Sequence, residues 1–246
     1  MFKNHYYHRV TKTAVAVFGS LFNNLTVVRY DGSGNTLNQI KVPLAYGPKQ
    51  KFLARIDQKN QNDASLAIKM PRMSFEITSI AYDTGSKLSK YSTITESVDD
   101  PLKRNVIRHV APYAITMDLN ILAKNQDDAL QILEQILPSF TPEYTLTIKP
   151  LKDFPSYIQD VPITLSSVSF ADEYEGDFTQ RRSIVYTLSF EMKLRYFGPK
   201  GDQSVIREVN VDLNDLETSN LLEGIDLTIT PENATEDDFE VDVNIR

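Results

Sequence analysis

A chain of 246 residues is long enough for one sizeable core, and 41% hydrophobic with 24% charged residues is ordinary for a soluble globular protein. It has no cysteine and no tryptophan, which excludes disulfides, thiolate nucleophiles and cysteine-based zinc or iron–sulfur sites, and fits folding in a reducing cytoplasm. The net charge of −7 conceals a split: from Glu208 onward twelve acids face one base, Arg246, leaving 25 bases against 21 acids before that point.

The first element is a helix in "TKTAVAVFGSLF". Val10, Ala14, Val17, Phe18 and Leu21 fall on one helical face, and the two His and two Tyr before them are unlike a signal peptide. No apolar run approaches the ~18–20 residues of a membrane span. "NNLTVVRYDGSGNTLNQIKVPLAY" follows as a hairpin, with the glycines and Asn of "DGSGN" supplying the turn. Those glycines are no phosphate loop, because no GK[ST] follows. "GPKQKFLARIDQKN" opens with proline and reads as a short helix.

Strands come next. In "MPRMSFEITSIAYD", Met73, Phe75 and Ile77 alternate with polar residues. In "PYAITMDLNIL", Tyr113, Ile115, Met117, Leu119 and Ile121 share a face. "DDALQILEQILPSF" then switches to helical period. Ala129, Leu130, Ile132, Leu133, Ile136 and Leu137 fill an apolar arc of about 160°, with Gln131, Glu134 and Gln135 opposite. Asn125 is placed to cap this helix, Asp127 and Asp128 favour its first turn, and Pro138 ends it. In "VPITLSSVSF" the parity changes between Ile163, Leu165 and Val168, Phe170, which places a β-bulge near Ser166–Ser167. "RSIVYTLSFEMKLRYF" carries seven apolar residues at strict period two, from Ile184 to Tyr196, a strand of ~40 Å. A one-residue slip would expose all seven, so its core face is fixed.

After "GPKGDQ" the texture changes. Val209, Val211, Leu213, then Ile225, Leu227, Ile229, then Val241, Val243, Ile245 alternate with residues that are mostly Asp, Glu or Asn. Two readings stand: a disordered acidic tail, or an arm of short strands that order by joining another subunit's sheet edge. The expected organisation is α+β. Residues 1–197 form one domain, a mainly antiparallel twisted sheet with one or two amphipathic helices on one face and an N-terminal helix. Residues 198–246 form an extended acidic arm.

Convergent chemistry is scarce. His5 and His8 share a helical spacing, yet no acidic third ligand accompanies them, and Tyr6 and Tyr7 suggest aromatic docking. His109 follows "KRNVIR" in an expected loop, and no GxSxG exists for a serine triad. Asp172, Glu173, Glu175 and Asp177 match no EF-hand spacing and read as a solvated turn. Lys103, Arg104 and Arg108 form one basic cluster and Arg181 with Arg182 another; either could touch phosphates non-specifically, but loop solubility accounts equally for the first and partner carboxylates on an adjacent strand or subunit for the second. No catalytic residue, metal site or cofactor is assigned. A well-patterned chain without a convergent polar site works through its surfaces.

Several segments together resemble one family. They are "LFNNLTVVR", "IKVPLAYGPKQKFLARI", "MPRMSFEI", "DDALQILEQILPSFTP" and "DEYEGDFTQRRSIVYTLSFE", in that order. The sequence resembles the tail sheath stabilisers, or tail completion and terminator proteins, of T4-like contractile-tailed bacteriophages. The resemblance covers most of residues 1–197 and fades after about Pro199. It implies a structural virion protein rather than an enzyme, made in the host bacterial cytoplasm. It also implies a hexameric ring that ends the tail tube, stabilises the last sheath ring and joins the tail to the neck proteins. Genomic DNA would pass through its channel. The "KRNVIRH" loop inherits nothing from the resemblance; a separate expectation puts Lys103, Arg104 or Arg108 near the channel, against which stands the need of a DNA conduit to avoid strong attraction. A ring-forming tail or baseplate protein at another station is the alternative.

Overall fold

The computed structural model describes residues 5–31, 34–58, 70–89, 91–97, 103–173, 183–204, 208–215, 221–235 and 238–245. Helix α1 spans Val10–Leu21 and leads to the hairpin β1 (Thr26–Tyr30) and β2 (Thr36–Lys41). Then come β3 (Leu44–Tyr46), α2 (Lys49–Gln58) and β4 (Arg72–Tyr82). Strands β5 (Thr93–Ser97), β6 (Lys103–Arg108) and β7 (Val110–Ala123) lead to α3 (Gln126–Ile136), which closes in a 3-10 turn at Leu137–Ser139. The chain continues through β8 (Glu143–Ile148), β9 (Gln159–Glu173), β10 (Ser183–Phe197) and β11 (Lys200–Ser204). It ends in β12 (Glu208–Asn214), β13 (Leu221–Thr235) and β14 (Asp238–Ile245).

The main sheet has the order β3-β4-β7-β10-β9-β8. Every pairing in it is antiparallel except β3 with β4, so the chain is α+β as its periodicities predict. The period-two pattern of β10 decides the core. Ile184, Tyr186, Leu188, Phe190, Met192 and Leu194 are all buried, opposite Ile121, Leu119, Met117 and Ile115 of β7. The expected bulge in β9 is present: Ser189 pairs with Ser167 and Phe190 with Leu165, which leaves Ser166 without a partner.

Helix α1 lies on this face through Ala14 and Phe18. It approaches so closely at Gly19 that an added Cβ would stand 2.9 Å from the Phe75 ring. Phe18 touches Phe22, Phe75 and Phe190 at ring distances of 5.0–5.4 Å, within the range where aromatic pairs attract beyond their burial. Helix α3 covers the same face through Ala129, Ile132 and Ile136.

Its rotation differs from the expected arc. Leu130 and Leu137 are exposed, and the opposite side is not simply solvated. Gln131 Oε1 accepts the Val28 amide (3.0 Å) and Gln135 Nε2 donates to Thr26 O (2.8 Å), so α3 is held between the sheet and the β1–β2 hairpin. The glutamines satisfy the edge of β1, a demand that periodicity cannot register. Asn125 stands at the N-cap with extended backbone but makes no side-chain cap bond. Asp128 turns instead to Arg29 of β1, with nitrogen–oxygen distances of 2.6 and 3.3 Å.

Helix α2 departs from the expected one-sided arrangement. Phe52 packs with Leu122 and Val185, which have the opposite parity to the core residues, so α2 covers one end of the second face.

The expected loop at "KRNVIRH" is instead a strand. β6 pairs with β5 and β11 in a three-stranded sheet, and β11 therefore extends the paired body past residue 198. The β7–β10 ribbon bends into β6–β11 at two residues. His109 takes a left-handed backbone (φ 66°), and Gly198 donates its N–H to His109 O (2.9 Å). A Cβ on Gly198 would stand 2.3 Å from Arg108 O, so only glycine fits. Both signals are local to the bend, and charge-rich "KRNVIR" lacks the apolar alternation of the long strands.

Candidate assembly interface

Three surfaces stand out once the core is accounted for. The first is the second face of the main sheet, opposite α1 and α3 and covered by α2 only at one end. Glu76, Thr116, Asp118, Thr187, Ser189 and Glu191 occupy it as half-buried residues, with Ser189 Oγ donating to Asp118 (2.7 Å) and Thr187 Oγ1 to Asn120 (2.8 Å). Its middle is a face of hydroxyls and acids, while Lys193, beside Asp83 at 3.8 Å, and the exposed Arg195 stand toward one end.

The second is the pair of open strand edges. β3 covers β4 only along Met73–Phe75, and β8 covers β9 only along Gln159–Thr164. Among the described residues, no strand lies on the outer side of β4 from Ile77 to Tyr82 or of β9 beyond Leu165. Such edges are templates for another strand.

The third is the C-terminal sheet, order β12-β13-β14. The segments expected to be disordered, or ordered only on another subunit, are strands that pair with one another. Registers align Val209 with Leu227 and Val243, Val211 with Ile225 and Ile245, and Ile229 with Val241. The apolar residues therefore share one face and Asp212, Asp226 and Asp242 the other. Val211, Leu213, Val241, Val243 and Ile245 are 43–69% exposed, a contiguous apolar face of the kind that marks interaction sites.

The remaining candidates are placed as follows. Lys103 and Arg108 are exposed and Arg104 half-buried, all on β6. His8 Nε2 lies 2.8 Å from Gly198 O, and its ring stands edge-on to Phe197 and near Tyr6. His8 thus pins the N-terminal segment to the bend, while Tyr6 and Tyr7, the residues expected to dock, are exposed. The expected turn residues Glu175 and Asp177, and the second basic pair Arg181 and Arg182, lie outside the described residues. No three His, Asp or Glu side chains converge as a metal site among the described residues. No described helix is long and apolar enough to cross a membrane.

Two perturbed groups are structural in character. Arg29 is pushed up chiefly by its hydrogen bond to Asp128. Asp83 is held below its ordinary range, first by a Ser86 hydrogen bond, then by the Gly85 amide and Lys193. A groove of about 140 Å³ between α1, α3 and β8 is lined by Phe22, Leu25, Ile136, Phe140 and Tyr144, without an acid or base. None of these assembles a reaction centre.

The sequence model of the T4-like virus Myoviridae tail sheath stabiliser matches residues 5–246. The chain belongs to that family. The match reaches past Pro199 and takes in the acidic C-terminal strands, where the resemblance read from the residues alone had faded. Tail completion protein gp15 of Enterobacteria phage T4 is 26% identical over 251 residues, covering 96% of this chain and 90% of that protein.

Proposed function

We propose that this member of the tail sheath stabiliser family is a structural protein of the virion, the ring that completes a contractile phage tail. Six copies close into a hexamer at the head-proximal end. The ring ends the tail tube, stabilises the last sheath ring and joins the tail to the neck proteins, with genomic DNA passing through its channel. The observation that carries the reading is the family match across residues 5–246, supported by a tail completion protein that aligns over nearly all of the chain.

The surfaces suit that work. A conduit for DNA has to avoid strong attraction to phosphate, and the middle of the face opposite α1 and α3, with its hydroxyls and acids, meets that requirement. Lys103, Arg104 and Arg108 stand on β6, beyond the bend at one end of the long sheet. They belong at the mouth of the channel rather than along its wall, where they touch backbone phosphates non-specifically. The apolar face of the C-terminal sheet takes a neighbouring subunit or a tail component, because a three-stranded sheet open on its apolar side gains by being covered.

The first test is particle mass and shape, by light scattering and negative-stain imaging. Six copies of 28.0 kDa give rings near 168 kDa. Purified protein that forms no ring alone or on isolated tails would refute the reading. Deleting residues 208–246 is expected to weaken ring formation or docking to the tail; unchanged assembly would sink the role given to the C-terminal sheet.

A further inference from the structure

We propose that neighbouring copies join through the main sheet, the distal half of β9 on one copy pairing antiparallel with the distal half of β4 on the next. The proposal rests on the ring reading above and supplies the contact that builds it.

Four independent features of the two edges agree. The first is exposure. Thr78–Tyr82 of β4 and Ser166–Ala171 of β9 are exposed residue after residue, on both faces, whereas the other halves of these strands are largely buried. The second is side-chain parity. Ile80 and Tyr82 are 49% and 47% exposed, and Val168 and Phe170 are 39% and 76% exposed. Ile80 and Tyr82 sit opposite Ile115 and Tyr113, and Val168 and Phe170 opposite Leu188 and Tyr186. All four therefore point to the face that carries α1 and α3. Pairing the edges would align them as cross-strand apolar neighbours.

The third is backbone phase. Met73 N–H donates to Pro43 O and Phe75 O accepts from Gly47 N–H, so these residues of β4 direct their polar groups away from β7. Antiparallel ladders alternate strictly. Following the registers across β7 and β10, Ile80 and Tyr82 on one edge and Val168 and Phe170 on the other all direct N–H and C=O outward. Two facing pairs of such residues make about four main-chain hydrogen bonds.

The fourth is stagger. Ile80 lies level with Ile163 of β9 through Ile115 and Met192, yet it would pair with Val168 or Phe170 of the next copy. The offset is about four to six residues, or ~14–20 Å, over four strand spacings of ~4.8 Å. That corresponds to a strand tilt of roughly 35–45°, the range a sheet needs to close on itself. Three antiparallel pairings separate β4 from β9, so their directions are also opposed as required. A foreign strand would need one matching edge. Two edges of the same chain, matched in face, phase and direction, describe a head-to-tail contact between identical copies.

The chain contains no cysteine, so engineered thiols report cleanly. Within one copy, positions 80 and 170 lie three strands apart and some 20 Å along the sheet, far beyond the ~5.5–6 Å Cα separation of a disulfide. Oxidised I80C/F170C protein, or I80C/V168C for the other register, should therefore give a ladder of cross-linked species on a non-reducing gel. Neither single variant should go beyond a dimer. Phe170→Lys should lower the ring fraction at least about tenfold while leaving the urea midpoint of the dissociated single copy unchanged, because Phe170 is exposed there. Rings of the right mass with no ladder in either pair, or with Phe170→Lys rings intact, would overturn edge pairing and leave the ring reading standing. If the full-length chain forms no ring even on isolated tails, both fall.

Discussion

Gly198→Ala tests the bend between the long sheet and its three-stranded extension. The new methyl would stand 2.3 Å from Arg108 O and 3.4 Å from His109 Cβ and O. The nearest atom is backbone, so no side chain can swing aside, and the two strands have to separate by almost 1 Å. Such overpacking costs about 1–3 kcal/mol. Separation also strains the Gly198 N–H to His109 O bond and the His8 contact to Gly198 O, each contributing about 0.5–1.5 kcal/mol. The expected loss is therefore about 2–6 kcal/mol, large beside a total stability of about 5–15 kcal/mol. Gly201→Ala is the control. It lies three residues further along, on β11, and its added Cβ would meet only Val106 O, at an ordinary 3.8 Å. Urea unfolding should show a clear fall in midpoint for Gly198→Ala and a change within about 0.5 kcal/mol for Gly201→Ala. Equal midpoints for the two variants would refute the steric account of the bend.

Phe18→Ala removes the ring on which α1, β4 and β10 converge, and should cost about 3–5 kcal/mol in chemical denaturation; less than 1 kcal/mol would mean α1 is not seated there. Asp128→Asn leaves Arg29 partly solvated, since the arginine is 41% exposed, so the loss should be about 1–2 kcal/mol and should vanish in an Arg29→Met background. A full-sized loss in that background would place the role of Asp128 elsewhere. Asp83 is depressed when folded, so its contribution is present above the unfolded value of about 3.9 and is lost as pH falls through the lower folded value. Asp83→Asn should flatten the acid limb of the urea midpoint below about pH 4 and leave its shape at neutral pH alone; an unchanged acid limb would count against the Ser86 and Gly85 hydrogen bonds.

Faces were legible in the sequence because burial imposes a period. The seven alternating residues of β10, the parity switch that fixed the bulge at Ser166, and the apolar stripe of α1 each follow from one side of an element meeting the core. What periodicity does not encode is what lies on the polar side. Gln131 and Gln135 look solvated by pattern, yet they satisfy the backbone of β1. "KRNVIR" looks like a loop by charge, yet it is the central strand of its sheet, because pairing on both edges supplies what its side chains do not. The short β3 was missed for a related reason. Three residues are too few to show a period, and its parallel pairing with β4 depends on the chain returning after the hairpin.

Edges are the hardest feature to read, since alternation is identical in a strand with one neighbour and a strand with two. The candidate interface was therefore only half visible. Val168 and Phe170 announced a core face by parity, and structure then left them uncovered because β8 stops opposite Thr164. A monomer selected only for its own stability gains nothing from an exposed Phe at the end of a 15-residue strand whose outer neighbour is six residues long. The same holds at the far side, where β3 stops at Tyr46 opposite Phe75 while β4 runs on through Ile80 to Tyr82. Two short flanking strands, each ending where an apolar edge begins, on opposite sides and at opposite ends of one sheet, are what the proposed pairing between identical copies requires.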